Sequence, residues 1–138
     1  MARLSLRLRV RGDTAELARV RQRVAQWASA AGLTEAAKRK AQLAVDETVA
    51  NAIEHGLPDG HVITVMGTLG QRRLVVTVRY QGAGFDPTTA PTGSADEALR
   101  QRAEHGYGLH LIRALADDVA YRRDGTVNEV RLAVGGER

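Results

Sequence analysis

The sequence predicts a two-layer α+β sandwich. The first observation is the order of its apolar patterns, which read β-α-α-β-β-loop-α-β-β along the 138 residues. The second is that two pairs of predicted strands are joined by short turns, which makes each pair an antiparallel hairpin. The third is a hydrophobic content of 43%, which is enough for one compact core. We therefore expect a single domain over residues 1–138, in which three helices cover one face of the sheet.

The first strand and the first two helices follow from hydrophobic spacing and end signals. Residues 4–10 alternate between apolar and polar side chains, as in a strand with one buried face. Asp13, followed by a glutamate three residues later, has the capping-box spacing that begins a helix, and Gly32 ends this helix. Thr34 caps the second predicted helix, which stops at Gly56.

Two hairpins supply the remaining four strands. "HVITVMGTL" and "RRLVVTVRY" flank Gly70-Gln71, and "VAYRR" and "VNEVRLAV" flank Asp124-Gly125. Between the hairpins, "GLHLIRALADDV" has the spacing of a third helix. Residues 86–105 hold two of the three prolines and almost no large apolar side chains, so we expect a loop of about twenty residues that acts as a lid.

The composition excludes several classes of function. The chain has no cysteine, which excludes disulfides and thiolate metal sites. No apolar run reaches the roughly 18–20 residues of a membrane span, and the N-terminus lacks the apolar block of a signal peptide, so we expect a cytoplasmic protein without a membrane partner. The net charge of +4 is spread along the chain and 4% of residues are aromatic, which argues against direct nucleic-acid binding. We interpret the charge mainly as solvated surface, with an acidic protein partner as the alternative.

Polar side chains share one face of the second predicted helix. Glu47, Asn51 and His55 follow one another at intervals of four residues. A carboxylate and a carboxamide one turn apart can hold a hydrated Mg²⁺, and the carboxylate can also deprotonate an attacking hydroxyl or water. The alternative is a solvated polar stripe opposite the apolar face, with His55 as a cation at the negative end of the helix dipole.

Two glycine pairs lie where a ligand can approach the backbone closely. Gly82 and Gly84 follow a predicted strand, and Gly106 and Gly108 open the third predicted helix. The N-terminus of a helix presents free N–H groups and the positive end of the dipole, which suits phosphate. Without a ligand, the first pair is a turn with positive φ, and the second is a hinge between the loop and the helix.

Together, the order of these motifs resembles the Bergerat-fold (GHKL) ATPases. It is most similar to the anti-sigma-factor serine/threonine kinases of the RsbW and SpoIIAB type. "DETVANAIEHG" resembles the N box of that family, "GAGFDP" its first glycine box and "GYGLHLIRALAD" its second. The resemblance covers nearly the whole chain. It implies a mixed, mainly antiparallel sheet with three helices on one face.

The resemblance also implies roles for individual residues. In that family the residue matching Glu47 activates the attacking hydroxyl, and the residue matching Asn51 binds Mg²⁺. The glycine boxes and the lid hold ATP. The residues that are implied to contact the nucleotide are, besides Asn51, Tyr80, Gly82, Gly84, Gly106, Tyr107, Gly108 and Leu109.

The activity implied by the resemblance is transfer of the γ-phosphate of ATP to a serine or threonine. The acceptor would be an anti-anti-sigma protein of the STAS type, and this protein and a sigma factor would compete for the kinase. Kinases of this branch commonly dimerise. The edge of the first strand, residues 3–10, is a candidate surface for a homodimer.

One position departs from the family pattern. The first glycine box normally reads Asp-x-Gly-x-Gly, and its Asp accepts a hydrogen bond from the adenine amino group, but here Tyr80 stands at that position. A phenol is a weaker acceptor than a carboxylate, and losing a bond to a charged acceptor costs about 1.5–3 kcal/mol. Three outcomes stay open: weak adenine binding, a different base, or a degenerate pocket. The last would make the chain a non-catalytic interaction module on the same fold.

Overall fold

The computed structural model describes residues 4–56, 61–82, 112 and 114–135. Within these ranges the chain forms five strands and two complete α-helices. In chain order they are β1 (Leu4–Arg11), α1 (Leu17–Ala30), α2 (Glu35–Asn51), β2 (Val62–Gly70), β3 (Arg73–Gln81), β4 (Asp118–Asp124) and β5 (Val127–Gly135).

The five strands form one sheet in the order β1-β2-β3-β5-β4. Both predicted hairpins are confirmed, since β2 pairs with β3 in the register Gly67↔Val76 and β4 pairs with β5 in the register Tyr121↔Val130. Both turns lie one residue later than predicted, at Gln71-Arg72 and Gly125-Thr126, because Gly70 and Asp124 still pair as the last residues of their strands. β5 also pairs with β3, which places it between β3 and β4. All four described pairings are antiparallel, and this corrects the expectation of a mixed sheet for this part of the chain.

Capping side chains that the sequence predicts stand ahead of both α-helices. The Asp13 carboxylate accepts a hydrogen bond from the Ala15 N–H at 2.9 Å, and it opens a 3-10 turn, Thr14–Glu16, that leads into α1. Thr34 Oγ1 accepts from the Ala37 N–H at 3.1 Å at the start of α2. Each acceptor satisfies an N–H group that has no partner within its own helical turn.

Both α-helices lie on the same face of the sheet. They pack against each other, α1 also contacts β2 and β3, and α2 contacts β3 and β5. The two layers approach closely at Gly67, where a Cβ atom would stand 2.5 Å from the ring of Trp27. Trp27 is 3% exposed and belongs to the core between the layers. The two-layer α+β class is therefore confirmed.

The third predicted helix, residues 108–119, is described at residues 112 and 114–119, and its last two residues belong to β4. Ile112, Ala114 and Leu115 are helical, and the Ala116 N–H donates to the Ile112 carbonyl at 3.0 Å. Ile112 is buried in the core, as the spacing predicts. The described part thus contains two complete α-helices instead of three, and the lid predicted over residues 86–105 lies outside it. Among the helices that are described, none has both the length and the apolar character that a membrane crossing requires.

Candidate functional site

Glu47 and Asn51 lie one turn apart on α2, near its C-terminal end, as the sequence predicts. Glu47 is half-buried, whereas Asn51 is 7% exposed. The Asn51 Nδ2 atom is buried and has no hydrogen-bond partner in the described structure. Because buried polar groups are nearly always hydrogen-bonded, an amide in this state indicates a place where a ligand can complete the bonding.

The Glu47 carboxyl lies in acidic surroundings. Burial raises its pKa above the ordinary value, and the negative charges of Asp46 and Glu54 raise this pKa further. A carboxylate with a raised pKa is a stronger proton acceptor than a fully solvated one, which suits general-base chemistry. Asp46 is held in place by Arg21, whose Nη2 lies 2.9 Å from Asp46 Oδ2 and joins α1 to α2. The Asp46 carboxylate, whose charge raises the pKa of Glu47, is therefore held in place by an ion pair between the two helices.

The oxygens on this face of α2 fit a Mg²⁺ ion that is bound mainly through a nucleotide. Mg²⁺ prefers oxygen ligands, and in nucleotide sites one or two protein side chains, waters and phosphate oxygens fill its shell. Asn51 and Glu47 provide side-chain oxygens at this spacing. In the described part of the chain, no three His, Cys, Asp or Glu side chains lie close enough together to hold a metal on their own.

The helix α2 does not end in a regular α-helical turn. It continues into a π-helical turn, Ala52–Gly56, which contacts β3. Such turns are rare in proteins, and many of those that do occur lie at functional sites. This one brings the end of the predicted N box against the strand that leads to the first glycine box. His55 belongs to the turn, but its side chain is outside the described part.

Tyr80 is the last inward-facing residue of β3, and its side chain is 4% exposed. Burial raises the pKa of Tyr80 to about 12, with a further rise from Tyr121 and an opposing effect from Arg123. The phenol is therefore neutral at physiological pH. A neutral aromatic ring thus lies where the family pattern has a carboxylate.

Asn128 is a buried polar residue that the sequence analysis missed. It lies opposite Tyr80 in the β3–β5 ladder and is fully buried. Asn128 Oδ1 accepts a hydrogen bond from the Tyr121 hydroxyl at 2.5 Å, and its Nδ2 donates to the Gly82 carbonyl at 3.0 Å. A signal was present in "VNEVRLAV", where alternation puts this asparagine on the same face as apolar residues.

Gly82 begins the predicted first glycine turn. Its φ of 142° lies in a region that L side chains rarely adopt, which accounts for glycine at this position. The Gly82 N–H donates to the Thr126 carbonyl at 2.9 Å. The structure therefore brings Tyr80, Gly82 and Asn128 together at one end of the sheet. The other predicted nucleotide contacts lie outside the described ranges: Gly84, Gly106, Tyr107, Gly108 and Leu109.

Comparison with known proteins relates this arrangement to one family. The sequence pattern of the histidine kinase-like ATPase domain matches residues 10–134. The serine-protein kinase RsbW of Listeria monocytogenes is 34% identical over 110 residues, which are 75% of this chain and 69% of RsbW. The serine/threonine-protein kinase BtrW of Bordetella bronchiseptica is 34% identical over 86 residues, which are 60% of this chain and 61% of BtrW.

A solved structure shares the fold. The crystal structure of the RsbU and RsbW domains of Rv1364c from Mycobacterium tuberculosis matches 98% of this chain and 33% of that one, with a TM-score of 0.69 and 17% identity. At 17% identity this structure shows a shared fold only. The family is shown by the sequence pattern, which matches most of the chain. The chain belongs to the histidine kinase-like ATPase family and, within it, to the RsbW type.

Proposed function

We propose that this protein is an ATP-dependent serine/threonine kinase that also acts as an anti-sigma factor. The observation that supports this most is the pair on α2: a half-buried Glu47 with a raised pKa, one turn before a buried Asn51 whose Nδ2 has no described partner. Neither feature stabilises the folded chain by itself. The names of the RsbW and BtrW relatives, both of them kinases, favour the same chemistry.

Glu47 would act as the general base of the transfer. Its carboxylate takes the proton of a serine or threonine hydroxyl on the partner protein, while the hydroxyl oxygen bonds to the γ-phosphorus of ATP. The bond from that phosphorus to the β–γ bridging oxygen breaks, and ADP leaves. Asn51 would hold Mg²⁺ together with phosphate oxygens, where the ion neutralises part of the phosphate charge.

The nucleotide would lie between the end of α2 and the glycine boxes. Gly82 allows a close approach of the backbone, and Tyr80 would contact the base. We assign the remaining contacts to the second glycine box and to the lid over residues 86–105, within one domain over residues 1–138. In this part of the chain the proposed contacts are Gly84, Gly106, Tyr107, Gly108 and Leu109.

The proposed partners follow from the resemblance to anti-sigma kinases. The phosphate acceptor is an anti-anti-sigma protein of the STAS type, and the protein held inactive is a sigma factor. Both compete for the kinase in the cytoplasm. A homodimer through the edge of β1 is part of the proposal, because in the described sheet β1 pairs with β2 alone and its other edge is open.

Tyr80 favours a second function on the same fold. Its buried ring replaces the acceptor that selects adenine in the family pattern. A domain in which this ring fills the place of the base would bind its regulators without ATP. It would then be a non-catalytic interaction module.

Thermal unfolding with nucleotides separates the two functions. A ligand that binds the folded state alone stabilises it by RT ln(1 + [L]/Kd). We expect ATP and ADP at millimolar concentration to raise the Tm, more with Mg²⁺ than with EDTA, and we expect AMP to raise it less. If no nucleotide raises the Tm, the interaction module is the correct function.

A further inference from the structure

Asn128 is the polar residue among the inward-facing positions of β5. The other inward-facing positions, Val130, Leu132 and Val134, are apolar and belong to the core. Burying an amide among apolar groups costs free energy unless hydrogen bonds offset it. A valine at position 128 would continue the apolar face without this cost. The presence of asparagine therefore requires a reason beyond packing.

The chemistry of its two partners fixes the orientation of the Asn128 carboxamide. The Gly82 carbonyl can only accept a hydrogen bond, so the Asn128 amide nitrogen must face it. The Tyr121 hydroxyl then donates to the carboxamide oxygen. This single side chain joins β4, β5 and the glycine turn after β3, directly beside Tyr80.

We propose that Asn128 is a positioning residue of the nucleotide site, and that its side chain holds the Gly82 turn in the conformation that binds a nucleotide. The inference rests on the proposed nucleotide-binding function. Gly82 has an unusual φ of 142°, and its two backbone groups are tied to different residues, the N–H to Thr126 and the carbonyl to Asn128. Without the amide donor, the Gly82 carbonyl would lose its side-chain partner and the turn could rotate.

The test is Asn128→Asp, which keeps the shape of the side chain and removes the donor. At pH 8 the buried carboxylate faces the Gly82 carbonyl, and no hydrogen bond can form because both groups are acceptors. We therefore expect the Kd for Mg·ADP to rise about tenfold relative to the unmodified protein. Burial raises the pKa of a carboxyl group at this position, and the charge of Arg123, opposite it in the β4–β5 ladder, opposes that rise, so this Asp takes up a proton as the pH falls. The protonated group can donate to Gly82, and the ratio of the two Kd values should approach one at pH 5.5.

Two control variants separate positioning from general damage. Asn128→Leu lacks both hydrogen bonds at every pH, so its weakened affinity should not recover in acid. Glu129→Gln changes the neighbouring residue, which faces the other side of the sheet and pairs with Arg122 at 3.5 Å, and it should leave the Kd unchanged. The free energy of unfolding is measured for each variant at both pH values, because a merely structural role would lower it without changing the Kd of the folded protein.

An NMR measurement on the unmodified protein decides the question if Asn128→Asp does not fold. In ¹⁵N-labelled protein, the side-chain amide of Asn128 and the backbone amide of Gly82 should both shift on titration with Mg·ADP. If the resonances of these two amides stay fixed while those of other residues shift, the proposal is wrong.

The outcomes also distinguish this inference from the proposed function. If the unmodified protein binds Mg·ADP and Asn128→Asp binds it equally well at both pH values, the positioning role is wrong and the kinase proposal stands. A loss of affinity in Asn128→Asp that is the same at pH 8 and pH 5.5 also overturns the positioning role. Failure of the unmodified protein to bind Mg·ADP overturns both.

Discussion

Tyr80 and Asn128 face each other on the adjacent strands β3 and β5, and both side chains are buried on the side of the sheet that carries the helices. One is a phenol whose pKa of about 12 keeps it neutral, and the other is an amide. A carboxylate at position 80 would accept a hydrogen bond but could not donate one, whereas a hydroxyl does both. At these two described positions the proposed site therefore presents neutral groups, without the carboxylate that selects adenine in the family pattern.

Tyr80→Asp should restore selection of adenine. The new carboxylate can accept from the amino group of adenine and opposes the carbonyl of guanine, so we expect about tenfold tighter binding of ATP and no gain for GTP. Calorimetric titration with both nucleotides measures this. Tyr80→Phe, which keeps the ring, serves as the control and should bind both nucleotides as the unmodified protein does. An equal gain for ATP and GTP would show that the change only opens space.

Asn51→Leu should separate stability from Mg²⁺-dependent binding. The buried Nδ2 of Asn51 has no described hydrogen-bond partner, so the substitution removes an unsatisfied polar atom from the interior, and the free energy of unfolding should stay equal or rise. The Tm shift caused by ADP should lose its dependence on Mg²⁺. Gln42→Leu is the matched control on the same helix: Gln42 Nε2 donates to the Arg21 carbonyl at 3.2 Å, so this change should lower stability by about 0.5–1.5 kcal/mol and leave ADP binding intact.

Glu47 should lower the stability of the protein near neutral pH. Its pKa is raised in the folded state, so the folded protein binds this proton more readily than the unfolded chain does. The favourable contribution is present at acidic pH and is lost as the pH rises through the raised pKa. We therefore expect Glu47→Gln to raise the Tm at pH 7, and the difference should disappear as the pH falls below the ordinary carboxyl range. A Tm difference that is independent of pH would contradict the raised pKa.

Gly67→Ala should destabilise the contact between the two layers. The added Cβ would lie 2.5 Å from the Trp27 ring, which is part of the core. Overpacking of this kind costs about 1–3 kcal/mol, which urea unfolding measures directly. Gly70→Ala is the comparison in the same strand, because its nearest contact is the Arg73 carbonyl at 3.6 Å and little change is expected. Similar losses for both variants would show that β2 tolerates no side chain at either glycine.

The strands, and the helix face that Glu47 and Asn51 share, were predictable because their signals are local. Alternation of apolar residues such as Leu8 and Val10 reports which face of a strand is buried, and both are in the core. The spacing of Glu47 and Asn51 places them on one helix face, whatever the rest of the chain does. The two hairpins were predictable from local turn signals, although each turn lies one residue later than the predicted pair.

The features that could not be predicted depend on residues far apart in the sequence. Pairing of β3 with β5, which brings Tyr80 opposite Asn128, joins segments on either side of the lid. The order of the strands and the all-antiparallel pairing follow from that contact. That the Nδ2 of Asn51 has no described partner also depends on what packs around it, and the π-helical turn after α2 has no spacing signal of its own.

The most direct test of the central claim is phosphate transfer by the unmodified protein and by Glu47→Gln. Each is incubated with Mg²⁺, γ-labelled ATP and a STAS-type anti-anti-sigma protein, with Glu35→Gln, an exposed position at the start of the same helix, as the control. We predict label on a serine or threonine of the acceptor for the unmodified protein and the control. For Glu47→Gln we predict none, although its Kd for ADP stays within about threefold. Transfer by Glu47→Gln at the unmodified rate, or no transfer by the unmodified protein, would contradict the account.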